Sequence, residues 1–153
     1  ASYLWNMFDF AVPTSKRGSV DARNMKGMMT FDRRIKKDSY FWYKANWSKE
    51  PVLYLTQRRN AVREKKETSI TVYSNIGTPK VYLNGKELTG VRKGYTDVHY
   101  IFDKVVLDDG KNVLKASLLH QGKEYTDEIE LNYNGECNLE ADFMEHKKEH
   151  GSW

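Results

Sequence analysis

The sequence predicts a mainly β chain: an immunoglobulin-like antiparallel β-sandwich preceded by a strand–loop–helix unit of the kind that tiles a (β/α)8 barrel. Three observations carry this. Residues 3–12, YLWNMFDFAV, are almost wholly apolar, as a strand buried on both faces of a parallel sheet requires. Large apolar residues in RRIKKDSYFWYKANW recur at helical spacing. From residue 52 the apolar period falls to two, in short segments divided by turn residues.

The elements follow in order. After the apolar strand, residues 13–30 read as a loop, with Pro13, Gly18 and Gly27. Asp32 is a candidate N-cap for a helix over about 33–46. Ile35, Tyr40, Tyr43 and Trp47 mark its apolar stripe, which Phe41 and Trp42 thicken, and Pro51 lies just past its end. Seven strands are then expected: 52–56, 69–74, 80–83, 86–90, 95–103, 112–119 and 124–133. Ile70 and Val72 share one face, and Thr71 and Tyr73 the other. Turn signals stand at Gly77-Thr78-Pro79, Asn84-Gly85, Asp109-Gly110, Gln121-Gly122 and Asn134-Gly135. Asn84-Gly85 is expected to close a tight hairpin. The expected organisation is a βα unit over 1–48, a sandwich over 49–135 and a charged tail over 136–153.

Composition narrows the function classes. At 13% aromatic, the chain is rich enough in core-forming residues to fold. No apolar run approaches the roughly 18 residues of a membrane span, so no membrane partner is expected. Ala1 to Val12 lacks the basic start of a signal peptide. Cys137 is the sole cysteine, so an internal disulfide is excluded. Residues 1–70 hold 15 Lys/Arg against 7 Asp/Glu, while 71–153 hold 10 against 14. The basic half carries scattered charges and no nucleic-acid motif. It reads as solvated surface, some of it facing a missing domain, and not as a DNA or RNA site.

Other motifs weigh little. His146-Lys147-Lys148-Glu149-His150 fits H-x-x-E-H, but only three residues follow it and no third zinc ligand is evident. Asn46-Trp47-Ser48 has a glycosylation pattern at the end of the aromatic helix. Tyr82, Tyr95, Tyr100 and Tyr125 are candidate sugar platforms, although sandwich aromatics are more often core or cross-strand pairs.

Three segments nevertheless resemble a known family. SYLWNMFDFAV, KGMMTFDRRIKKDSYFWYKANWS and PVLYLTQR are similar to the end of the catalytic barrel in glycoside hydrolase family 2. The match is to β-galactosidase-like enzymes of gut Bacteroides-type bacteria. VYSNIGTPKVYLNGKEL, with NVLKA and GKEYTDEIEL, looks like the immunoglobulin-like module that follows that barrel. The resemblance covers residues 1 to about 133. It implies hydrolysis of a β-linked sugar by two carboxylates about 5–5.5 Å apart. In the family both lie upstream of the segment matching Ala1, so this chain alone is expected to be inactive. Trp5 matches the family tryptophan that walls the sugar at the cleavage subsite. Asn6 and Asp9 are neighbouring polar candidates, for which buried hydrogen bonding is the favoured role. Lys26 stands where some members use a sodium-binding asparagine, and an ammonium does not ligate a cation. No cofactor or metal is expected. The resemblance implies a periplasmic or secreted parent.

The expected partners are a β-linked sugar and the missing barrel. A homo-oligomer formed through the orphaned barrel segment is a further expectation. The competing reading is a stand-alone, non-catalytic sandwich that binds carbohydrate or protein. A natural domain rarely begins inside a buried barrel strand, which favours the glycosidase fragment.

Overall fold

The computed structural model describes residues 3–13 and 22–134. His146–His150, Cys137 and the turn residue Gly135 therefore lie outside the described residues. No helix among those described is long and apolar enough to cross a membrane.

Among its described residues the N-terminal part contains two short strands and one helix. β1 (Phe10–Ala11) pairs antiparallel with β2 (Arg23–Asn24). α1 spans Asp38–Trp47. The apolar run is not a strand buried on both faces. Tyr3, Trp5 and Met7 are 93%, 77% and 44% exposed, and Asp9 is the residue that is buried. Its covered side meets residues 22–29 through backbone bonds, and its other side is open.

α1 also starts later than the expected residue 33, and Asp32 does not cap it. The N-cap is Lys37, without a side-chain capping bond. Asp32 instead organises the preceding turn. It accepts from the Thr30 hydroxyl and the Arg34 amide. Ile35 N–H donates to Thr30 Oγ1, and Thr30 N–H donates to the Ile35 carbonyl. These backbone groups are committed to the turn, so a helix cannot use them.

The remainder forms two facing sheets. One has the order β4-β11-β10-β6-β7, from Val62–Arg63, Lys123–Tyr133, Gly110–His120, Lys80–Leu83 and Lys86–Glu87. The other is β3-β5-β9-β8, from Leu53–Leu55, Glu67–Ser74, His99–Val106 and Val91–Lys93. All pairs are antiparallel except β4 with β11. The mainly β, antiparallel sandwich is thus the observed fold. The short strands β4 and β8 add to the seven expected.

Alternation builds the core. Ile70 and Val72 point inward opposite Phe102 and Tyr100. Leu114 faces Ile129 across the other sheet. β9 breaks its alternation with a bulge: Ile70 pairs with Phe102, but Thr68 pairs with Val105. Lys104, at φ 55, takes up the extra residue. The bulge keeps a lysine out of the core and turns Val105 in, where it is 5% exposed.

Asn84-Gly85 closes the β6–β7 hairpin, with φ of 50 and 85, a two-residue turn of the primed kind. Asn84 also accepts from Val113 N–H and donates to Asn112 Oδ1. Asn112 is fully buried and satisfied by the 108–110 backbone.

α1 packs on the outer face of the second sheet. Phe41 stacks on Tyr54 at 3.8 Å, and Ala45, Val52, Tyr73 and Val98 complete the cluster. Asp38 fixes the joint by accepting from Tyr54 OH at 2.9 Å and from Gln57 N–H at 2.7 Å. Asn75 ties the connection after α1, donating to the Ser48 and Glu50 carbonyls and accepting from Val52 N–H.

Candidate functional site

The candidate site lies where residues 5–11 run beside residues 22–29. Met28 N–H donates to the Asn6 carbonyl, Met29 N–H to Met7, and Asp9 N–H to Met29. This ladder fixes the strand on one side. Trp5 lies at its upstream end with its ring edge against Phe10, centroids 6.2 Å apart at 85°. Most of the indole is therefore exposed in this chain. The Asn6 side chain accepts from the Met7 amide at 2.8 Å. The Trp5–Asn6 peptide is cis.

Asp9 takes the structural role expected of it. Its carboxylate is 3% exposed and accepts from Gly27 N–H at 2.9 Å and from Lys37 Nζ at 2.6 Å. Lys37 Nζ also donates to the Met25 carbonyl at 2.9 Å. Gly27 is required by close approach: a Cβ there would lie 2.1 Å from Asp9 N. Lys26 is exposed, and its own N–H donates to Asn24 Oδ1 at 3.0 Å.

Beside this strand is a cleft of about 420 Å3 lined by Met7, Met28, Tyr40, Tyr43 and Trp47. Lys44 and Glu50 bridge one side at 2.7 Å. Their contact raises the Lys44 pKa and lowers that of Glu50. At the joint behind it, burial and then the Asp38 carboxylate raise the Tyr54 pKa well above the ordinary phenol value. That hydroxyl donates to Asp38 and stays protonated.

The other candidates are dispersed. Tyr100 is 5% exposed and belongs to the core. Tyr82 faces outward beside Lys115 and Glu128. Tyr125 lies on the opposite face, against His120 and Lys123. Tyr95 is 95% exposed, with its ring 6.0 Å from that of His99. The Asn46 amide donates to the Trp42 carbonyl within the helix. Among the described residues no group of three His, Cys, Asp or Glu is placed to hold a metal.

Sequence reasoning missed Lys37, Gly27, Asn24 and Asp38. One signal was available: a lone aspartate inside YLWNMFDF must find a cation and a donor. Nothing in the spacing said which of Lys36 and Lys37 it would be.

No family model matches the chain. It is 32% identical over 133 residues to a β-glucuronidase of Bacteroides fragilis, covering 86% of this chain and 19% of that protein. It superposes on the crystal structure of a provisionally named β-galactosidase of Bacteroides fragilis with a TM-score of 0.86 and 76% identity, over 93% of this chain and 21% of that one. It matches an FMN-binding β-glucuronidase from Facaelibacterium prausnitzii L2-6 with a TM-score of 0.74 and 41% identity, over 87% of this chain and 19% of that one. The chain thus spans about a fifth of the length of the relatives it matches.

Proposed function

We propose that this chain, which is homologous to the C-terminal portion of family 2-type β-glucuronidases and β-galactosidases, works as part of a longer retaining β-glycoside hydrolase. Residues 1–48 close the end of its catalytic barrel. Residues 49–135 form a sandwich that braces it. The reacting carboxylates come from upstream strands, and this chain contributes one wall of the sugar site.

One observation carries this reading. Tyr3, Trp5, Met7, Met25, Phe31, Ile35 and Trp47 are all exposed within residues 3–47. An apolar surface of that density is rare on a finished protein. It is what a barrel segment presents when the rest of the barrel is taken away.

Trp5 supplies a flat apolar surface for the C–H face of a pyranose. The oxocarbenium-like transition state requires the ring to be held while it distorts. Lys26 bears on which sugar. A β-glucuronide carries a carboxylate that a β-galactoside lacks. Lys26 presents an exposed ammonium on the loop laddered to the Trp5 strand. We assign it the sugar carboxylate. The name β-glucuronidase carried by two of the relatives supports this choice.

The test compares the full-length protein with this chain alone, on chromogenic β-glucuronide and β-galactoside. Turnover by the full-length protein and none by the chain is the expected result. Lys26→Met in the full-length protein should cost about 1.5–3 kcal/mol on the glucuronide, the worth of a hydrogen bond to a charged group. It should leave the galactoside nearly unaffected. Equal losses on both would remove Lys26 from the sugar site.

A further inference from the structure

We infer that Asp9 and Lys37 are positioning residues: their buried ion pair sets the Lys26 loop against the strand that carries Trp5. The inference rests on the glycosidase reading for its consequence and on this chain's geometry for its cause.

A carboxylate in an apolar run is tolerated only when it is paired and hydrogen-bonded. Asp9 meets both conditions through one oxygen, which takes Gly27 N–H and Lys37 Nζ. Lys37 then reaches the Met25 carbonyl. The pair therefore grips the residue on each side of Lys26, while Asn24 takes the N–H of Lys26 itself. Three polar contacts hold the backbone of a residue whose side chain stays exposed.

The other end of the clamp is the Trp5 strand. Asp9 is four residues from Trp5 in the chain. Between them the ladder to Met28 and Met29 leaves little play. Lys37 is also the N-cap of α1, whose next residue, Asp38, is bound to the sandwich. A short polar chain thus runs from the sandwich, through the start of α1, to both candidate sugar contacts. Fixing two ligand contacts relative to each other is what positioning requires, and misplacement by about 1 Å can cost about 10²-fold in rate.

The test must separate position from stability. Lys37→Met alone leaves a buried carboxylate unpaired and can unfold the segment. Asp9→Leu with Lys37→Met replaces the pair by apolar side chains of similar size, which such sites often accept. Two measurements follow. In this chain, hydrogen exchange at the Gly27 amide should quicken at least about tenfold in the double variant while the thermal melt stays near that of the parent sequence. In the full-length protein, kcat/KM on a β-glucuronide should fall about 10²-fold, and by less on a β-galactoside, which has no carboxylate for Lys26. A double variant that keeps both Gly27 protection and its preference for glucuronide would overturn the clamp. If the unaltered full-length protein cleaves neither glycoside, the glycosidase reading falls, and the exchange measurement still judges the clamp.

Discussion

A Cβ on Gly27 would sit 2.1 Å from Asp9 N and Phe8 C, contacts that only a backbone shift relieves. Gly27→Ala should therefore open the 6–9 ladder. It should cost about 3 kcal/mol, the upper end for overpacking. Faster amide exchange at Met28 and Met29 is the readout, and an unchanged pattern would contradict it. His99 gives a pH dependence. Burial, and then the charge of Arg92, lower its pKa below the ordinary 6.5. Its Nδ1 accepts from the Tyr95 amide, which protonation at that atom would prevent. The unfolded chain thus binds the proton more readily than the folded one. The contribution is complete above about pH 6.5 and is lost as pH falls from there through the folded value. His99→Gln should narrow the difference between melting temperatures at pH 8 and pH 5. An identical difference in the two proteins would rule this out.

At the scale of elements, the joint between α1 and the sandwich decides how independent the parts are. Phe41 covers Tyr54, and Asp38 takes the Tyr54 hydroxyl. A chain beginning at residue 49 should keep a strand-type circular dichroism spectrum and a cooperative melt. It should melt lower than the whole chain, because burying such an aromatic contributes about 1.5–3 kcal/mol. Equal melting temperatures would mean that α1 adds nothing to the sandwich. The sandwich was legible because period-2 runs and an Asn-Gly turn are local signals, and β6 and its hairpin fall where the sequence places them. β4 and β8 were not. Val62–Arg63 and Val91–Lys93 are short edge strands, the first held by the distant β11 and the second a three-residue partner of the next strand, β9. The start of α1 was misplaced for a related reason. Thr30 and Asp32 spend the local backbone bonds on a turn that propensity alone does not reveal. Trp5 and Asn6 were singled out by resemblance, whereas Lys37 became visible only when the fold brought it to Asp9 from 28 residues away.

Across the whole molecule, the apolar side chains left open on residues 3–47 should make the isolated chain self-associate. Sedimentation should show concentration-dependent oligomers that Met7→Glu with Trp47→Glu disperses. A monomer at all concentrations would weaken the view that this face is built to be covered. The most direct test of the glycosidase reading is Trp5→Ala in the full-length protein. Trp5 is 77% exposed here and touches Phe10 only at its ring edge. Within this chain its removal therefore loses little packing. Loss of the sugar wall should cost about 10²-fold in kcat/KM per folded molecule. The measurement is kcat/KM beside a thermal melt for the two proteins. The account predicts a large fall in kcat/KM with a nearly unchanged melting temperature. A stability loss of roughly 3–5 kcal/mol, as for a buried tryptophan, seen as a lowered melting temperature with kcat/KM intact, would contradict it.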